Sequence, residues 1–585
     1  MRQNGLAPTG TTLRWVSSDG SRLGPEQRAA ALDRLDDEHF DVVVAGGGVT
    51  GMGAALDAAT RGLRVAVIEQ RDIASGTSSR SSKLIHGGLR YLEQFDIGLV
   101  REALRERGLL MSKLAPHLVY PVPIIYPFRH RAWERFYVGS GVMMYDLLAS
   151  TGSNPMPWHH HLSRTAMLEL FPGLDPKRFT GGLRYFDAGT DDARFTMFVA
   201  RTAAAHGAAI APSTRVVGFE REGHRVVGVR ATCLETGREL RVRTRVVINA
   251  SGVWTDDVEA LVGDRDRGVT ASKGIHLVVP KDRIESTTGL ITKTKESVLF
   301  IIPFDSYWLI GTTDTKWRLG LAHPAASRFD IEYLLDQVNE VLAVSLSADD
   351  VVGVYAGLRP LVTGDAESTA KLSREHVITH PAPGFVTIAG GKFTTYRVMA
   401  EDVVNEACLE MAGRAPASVT DSIPLVGAAG YDALWAGRER VARDSGLSIA
   451  TVERLLRRYG SAIEDLIALI GEQPELGKSL EGAPRYLAVE ALYAATHEGA
   501  LHLDDVLTRR TKISIEVPDR GLAASVPVAR LLAEVHHWDE ATVERELNHY
   551  RARVAAERES QTKPDDHTAD ATRMGAADVR TRGGG

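Results

Sequence analysis

The sequence predicts an α/β fold: a nucleotide-binding sheet covered by helices, an antiparallel-sheet domain between its segments, and a C-terminal α-helical domain. Three observations predict it. Residues 40–70 read as strand, glycine turn, helix and strand; residues 384–404 repeat strand, glycine pair and helix; and beyond about residue 428 the apolar spacing changes to the helical period.

The first unit is "FDVVVAGGGVTGMGAALDAATRGLRVAVIEQ". A β-branched run, a glycine turn, an alanine-rich amphipathic stretch and a second β run ending in Glu69 make one Rossmann-like βαβ unit. Gly46, Gly48 and Gly51 form GxGxxG. The first glycine permits the tight turn, the second lets backbone approach a pyrophosphate, and the third lets helix and strand pack closely. The helix N-terminus then faces the phosphates, and Glu69 stands where a carboxylate accepts from ribose hydroxyls. A glycine-rich turn in an ordinary α/β domain is the plainer reading, but the strand, helix and terminal acid agree on a dinucleotide.

Two later segments bear on which dinucleotide. "RTRVVINASGVWTDDV" is a buried-type strand running into Ala250, Ser251 and Gly252, small residues that let backbone lie against something flat. "GFVTIAGGKFTTYRVMAEDVV" places Gly391, Lys392 and Thr394 at the start of a second helix, whose partial positive charge suits a group that gains negative charge. The N1–C2=O edge of a flavin is such a group, whereas nicotinamide becomes neutral on accepting hydride. Together with the first unit, they favour FAD.

Between these units, "SVLFIIPFDSYWLIGTTDT" reads as two strands joined at Asp305 and Ser306, as in an antiparallel sheet over the cofactor. Helical stretches such as "TVERLLRRYGSAIEDLIALI" form the C-terminal domain, and the polar run from about residue 557 predicts disorder. The expected organisation is an N-terminal extension at 1–38, partly disordered, an oxidoreductase region at 39–427, a helical domain at 428–556 and a tail at 557–585. Within 39–427, cofactor-binding parts are expected at 39–100, 190–270 and 355–427, and substrate-binding parts at 101–189 and 271–354.

Composition narrows the partners. A net charge of -6 gives no reason to expect nucleic acid. Cys233 and Cys408 stand alone, without a CxxC partner, so neither a disulfide framework nor a metal site is supported, and a reducing, cytoplasmic compartment fits. The N-terminal stretch has no apolar signal core, and no run approaches the roughly 20 apolar residues of a membrane span. Residues 126–149 mix Arg129, Arg131 and Arg135 with Trp133, Phe136, Tyr137 and Met143, the composition of an interfacial element or of an ordinary packed helix with solvated arginines.

The motifs "AGGGVTGMG", "GTSSRSSKLIHGGLRYLE", "INASGVWTD", "KGIHLVVP", "GLRPLV" and "AGGKFTTYRVMAEDV", in this order over about residues 40–512, resemble the FAD-dependent glycerol-3-phosphate dehydrogenases of the membrane-associated respiratory type. The resemblance implies an FAD-binding domain of the glutathione-reductase and D-amino-acid-oxidase type. It also implies oxidation of sn-glycerol 3-phosphate to dihydroxyacetone phosphate, with electrons passed to a membrane quinone. An oxygen-using oxidase that releases hydrogen peroxide, and a catalytically idle flavin-binding protein, remain as alternatives. Thr77, Ser78, Ser79 and Ser82 are implied near FAD, with Gly88 allowing close approach to the isoalloxazine. Arg90 and Tyr91 are implied on the substrate side, with a solvated arginine and a core tyrosine as the bland alternative.

Arg359, Arg374 and Lys392 are implied as cations converging on one cofactor face, where they suit a phosphate monoester, a dianion near neutral pH, although each taken singly is more often a surface charge. His276 is the candidate base for the C2 hydroxyl proton, with His86 next in line, and Arg359 would hold the hydroxyl oxygen. A histidine packed at a strand start is the competing reading of His276. The implied location is the inner face of the cell membrane, on anionic lipid, and a homodimer stays open.

Overall fold

The computed structural model describes residues 18–88, 96–130, 133–150, 156–263, 268–294, 298–362, 375–411 and 416–580. Strand His39–Ala45 is the centre of the first sheet. Val65–Ile68 and Glu239–Asn249 flank it in parallel, with Ala209–Ala211 and Phe385–Gly390 outside them. Val42 lies opposite both Val65 and Val246, and Ala45 opposite Ile68 and Asn249, so the three strands end level. Ligands of such sheets sit beyond the carboxyl ends of the strands.

These strands are apolar on both faces because both faces are covered. Helices Val49–Thr60, Asp192–Ala205 and Tyr396–Glu410 pack on one side. Gly53 permits the close crossing of the first and third, since a Cβ there would stand 2.9 Å from the Tyr396 ring. On the other side, helix Pro25–Asp37 brings Leu32 and Leu35 against Val43 and Ala209. That helix belongs to the extension expected to be partly disordered; residues 1–17 lie outside the described residues.

Among the described residues the second sheet has ten strands, antiparallel except where Gly289–Lys293 runs parallel to Tyr120–Phe128. The turn at Asp305 and Ser306 joins Val298–Phe304 to Tyr307–Gly311 as the sequence predicts, with Asp305 at φ +53°. The expected domain boundaries need correcting at two places. Strands Leu84–Ile85 and Gly353–Val362 belong to this sheet, paired with Gly181–Gly189 and Val269–Pro280, not to the cofactor-binding part alone. Their partners are far away in sequence, so no local pattern reveals the pairing.

The C-terminal part is helical from Tyr431 onward, with one short hairpin, Ser479–Leu480 and Ala483–Leu487. The tail corrects the sequence-based reading. It continues helix Glu540–Ser560, adds helix Asp566–Met574, and stays packed to Arg580. Composition missed this because the tail buries few apolar residues, Ala569 and then Ala576 seven residues on, and is fixed chiefly by ion pairs to distant segments.

Candidate active site

A cavity of about 610 Å³ lies between the two sheets, beyond the carboxyl ends of the parallel strands. Gly46, with φ +117°, makes the turn at its floor; a Cβ there would stand 2.6 Å from the Ala250 carbonyl oxygen. Gly48 precedes helix Val49–Thr60 and faces the cavity, where Ser78 Oγ accepts from Val49 N at 3.0 Å. Gly51 is off the cavity wall, and a Cβ on it would stand 2.0 Å from Gly46 O. Helix and turn are thus too close there for any side chain.

Glu69 lines one end of the cavity with Arg71 and residues 214–216. Its carboxylate accepts from Gly47 N at 2.6 Å and Arg71 N at 2.7 Å, which fixes its orientation. Burial raises its pKa above the ordinary carboxylate value. Thr77, Ser78, Ser82, Gly88, Ala250, Gly252, Gly391, Lys392 and Thr394 also line the cavity, as does His86. Thr77 Oγ1 donates to Leu358 O at 2.6 Å, tying the serine-rich turn to the second sheet, and Thr394 Oγ1 bridges His86 N and O at 3.2 Å each. Ser79 is off the cavity wall; its carbonyl accepts from Lys83 Nζ at 2.6 Å.

His276 and Arg359 come from neighbouring strands of the second sheet. Opposite His276 is Tyr355, opposite Gly274 is Gly357, and opposite Ser272 is Arg359, all on one face by the period of two. The two glycines leave room. A Cβ on Gly274 would stand 2.5 Å from Arg359 Nη2, and one on Gly357 would stand 2.4 Å from Arg80 O. Arg359 donates to Thr313 O at 3.2 Å and to Thr312 Oγ1 at 3.1 Å, with Asp314 at 3.6 Å as its carboxylate neighbour.

His276 is 2% exposed, stacked on Tyr355 with ring centres 4.9 Å apart and planes 9° from parallel. Its Nε2 lies 2.8 Å from Ser82 Oγ. Burial first, then the charges of Arg359 and Lys83, push its pKa well below the ordinary histidine value. The imidazole is therefore neutral at neutral pH and able to take a proton. Behind it, Tyr355 OH donates to Ser81 O at 2.9 Å, Ser81 Oγ donates to Asp192 at 2.7 Å, and the same carboxylate pairs with buried Lys83. Lys83 is pushed down to about 8 by burial.

The cavity thus gathers His276, Arg359 and Lys392 with the nucleotide-binding candidates. Arg90, Tyr91 and Arg374 lie outside the described residues. Sequence reasoning missed Tyr355 and the link from Ser82 to His276. Tyr355 could have been found, four residues before Arg359 on the same face of a strand, whereas Ser82 and His276 are 194 residues apart. It also missed Asp578 and Arg580 from the tail, which line the cavity near Glu69 and Arg71.

Parallel sheet, glycine turn, buried acid and the capping second sheet define an FAD-dependent oxidoreductase, and the family model described as FAD dependent oxidoreductase matches residues 41–400. A second model, the C-terminal domain of alpha-glycerophosphate oxidase, matches residues 418–543. Within that class, the chain belongs to the FAD-dependent glycerol-3-phosphate dehydrogenases. It is 53% identical to glycerol-3-phosphate dehydrogenase of Mycobacterium leprae, over 96% of each chain. It is 35% identical to the mitochondrial glycerol-3-phosphate dehydrogenase of Homo sapiens, over 91% of this chain and 75% of that one. Among solved structures, the Bacillus halodurans glycerol-3-phosphate dehydrogenase complexed with FAD superposes with a TM-score of 0.76 at 28% identity, covering 91% of this chain and 98% of that one. The L-alpha-glycerophosphate oxidase of Mycoplasma pneumoniae with FAD bound shares the fold, with a TM-score of 0.52 at 18% identity over 66% of this chain and 99% of that one.

The residues present fit FAD. The glycine turn clears the backbone for a pyrophosphate, Glu69 is held with its carboxylate at the ribose end, and the start of helix Tyr396–Glu410 stands at the other end beside Gly391 and Lys392.

Proposed function

We propose that the protein oxidises sn-glycerol 3-phosphate at C2 to dihydroxyacetone phosphate and passes the electrons to a membrane quinone. The observation that carries this reading is a buried, neutral His276 beside Arg359 on one wall of the cofactor cavity. FAD, when bound, supplies the two-electron acceptor for the hydride leaving C2. His276 takes the hydroxyl proton. Arg359, already held by Thr312 and Thr313, hydrogen-bonds the substrate oxygen and stabilises the negative charge that grows as the proton leaves. Lys392 offers a compact cation to the phosphate, joined on the family resemblance by Arg374, with Arg90 and Tyr91 on the substrate side.

The exposed face of helix Trp133–Ala149 supports a membrane-bound acceptor. Trp133, Phe136, Tyr137, Met143 and Leu147 are exposed, with Arg129 and Arg135 beside them, while Gly139, Val142, Tyr145 and Ala149 face inward. Arg131 lies outside the described residues. Among the described residues no helix is long and apolar enough to cross a membrane, so contact through this helix would lie in the interface, at the inner face of the cell membrane.

The test is turnover of purified protein with sn-glycerol 3-phosphate or glycerol, with a short-chain quinone or oxygen as acceptor. The reading expects dihydroxyacetone phosphate, quinone-dependent turnover and poor use of glycerol, which leaves the cationic pocket unneutralised. Stoichiometric hydrogen peroxide, unaffected by quinone, would favour the oxidase, which the alpha-glycerophosphate oxidase match of the C-terminal domain keeps in view.

A further inference from the structure

The tail lies beyond both family matches, the second of which ends at residue 543, yet it reaches the cofactor cavity. Three groups of contacts carry it there. Asp566 pairs at 2.5 Å with Lys273, a fully buried lysine on the His276 strand that is also paired with Asp330. Asp570 accepts from Gly320 N at 3.3 Å, and Arg573 Nη1 donates to Arg553 O at 2.9 Å. Asp578 then pairs with Arg71, two residues after Glu69, and Arg580 Nη2 donates to both oxygens of buried Asp505 at 2.8 Å. Asp578 and Arg580 end up on the cavity wall beside Glu69 and Arg71.

These contacts join three parts of the molecule. Asp72, next to Arg71, pairs with Arg509 and Arg510 of the helical domain, and Arg509 shares Asp505 with Arg580. His323 of the second-sheet domain lies 2.8 Å from Arg553 and 3.9 Å from Asp578. The tail thus reaches the Glu69 end of the cavity through pairs of opposite charge: Asp566 with Lys273, Arg573 with Glu557, Asp578 with Arg71 and Arg580 with Asp505. Breaking one partner of a buried pair leaves the other desolvated and uncompensated. Arg573 of the tail adds to the positive field at the cavity: Arg80, on the wall, is pushed down to about 9 by burial and by Arg573 together with Arg71, Arg553 and Arg509 of other segments. Such a field suits the dianionic pyrophosphate of a dinucleotide.

We propose that residues 566–580 form the outer wall of the adenosine site, a strap that must lift before FAD can leave. The proposal rests on the cofactor reading above. Strap closure and cofactor binding then stabilise each other, because each favours the same arrangement of the loop after Glu69. Release is slow while the ion pairs hold.

The experiment follows FAD release from full-length holoprotein by the rise in flavin fluorescence on dilution, for the parent, Asp578→Asn and Arg580→Gln, with circular dichroism to certify folding. Trypsin cleavage of the tail after Arg573 is compared between apoprotein and holoprotein. Both variants should release FAD about tenfold faster or more, as loss of one buried partner implies. Bound FAD should also slow the cleavage. Folded variants that release FAD within about twofold of the parent, the level of a surface pair, would overturn the strap, as would cleavage indifferent to FAD. If one variant does not fold, the release rate of the other and the cleavage of the parent still decide between these outcomes. A parent that carries no FAD would instead overturn the cofactor reading itself.

Discussion

At the residue scale the chemistry depends on His276. A neutral imidazole in this setting follows from its surroundings: burial and two nearby cations oppose its protonation. The sign of the pH dependence follows. A base with a depressed pKa stays unprotonated through the neutral range, so flavin reduction should be level from pH 8 to about 6.5 and decline only in more acid solution. His276→Asn should keep FAD and lose about 10²–10⁴-fold in reduction rate together with the acid limb, read by single-turnover stopped flow. A variant reducing at the parental rate with the same profile would make His276 structural and turn attention to His86, which lines the same cavity. The sequence showed His276 because "KGIHLVVP" is a motif. It could not show that Ser82 Oγ lies on its Nε2 or that Tyr355 stacks beneath it, since both contacts come from strand register and loop placement.

Elements were legible where their signal is local. The glycine turn, its flanking strands and the second glycine-pair helix follow directly from periodicity and turn chemistry, and their geometry separates two glycines by role. A Cβ at Gly48 meets only Ser78 Oγ at 3.2 Å, whereas one at Gly51 would run into backbone at 2.0 Å. Gly48→Val should therefore fold but be isolated largely as apoprotein, its branched side chain standing where the pyrophosphate approaches. Gly51→Val should lose folded protein altogether, because helix and turn cannot separate without opening the core. Flavin content and circular dichroism read both, and the reverse pattern would contradict the assignment. Helix Trp133–Ala149 belongs to this scale too. With an apolar stripe on one side and arginines beside it, Phe136→Asp with Trp133→Asp should abolish sedimentation with anionic vesicles while flavin reduction by substrate persists. Binding to vesicles should also weaken with salt, since its Coulombic part is screened. Unaltered sedimentation would remove this helix from the membrane contact.

At the scale of the whole molecule, the joins between domains were the least legible part, because they are made of polar groups far apart in sequence. His502 is the clearest case. Its Nε2 lies 2.9 Å from Glu235 of the nucleotide-binding part, and its Nδ1 lies 2.9 Å from Glu546 of the long C-terminal helix. Although burial opposes its charge, the two carboxylates raise its pKa to about 9. A group whose folded pKa is raised gives stability that is fully present below the unfolded value near 6.5 and is lost as pH rises through about 9, here on the order of 3 kcal/mol. The melting temperature should fall between pH 7 and 9.5, and His502→Gln should be less stable at pH 6.5 but closer to the parent at pH 9.5. An equal gap at both pH values would contradict the charged state. The tail shows the same limit of sequence reading: its composition is that of a disordered segment, and its order comes from partners in three other regions.

All three scales converge on one proposed reaction, oxidation of glycerol 3-phosphate in this cavity on bound FAD. Anaerobic mixing of the purified yellow protein with sn-glycerol 3-phosphate, with no acceptor present, tests it most directly by following the flavin absorbance. Rapid and complete bleaching by sn-glycerol 3-phosphate is expected, with little by glycerol, and dihydroxyacetone phosphate should form in equal amount to the flavin reduced. A flavin that stays oxidised with sn-glycerol 3-phosphate, or that bleaches equally with glycerol, would contradict it.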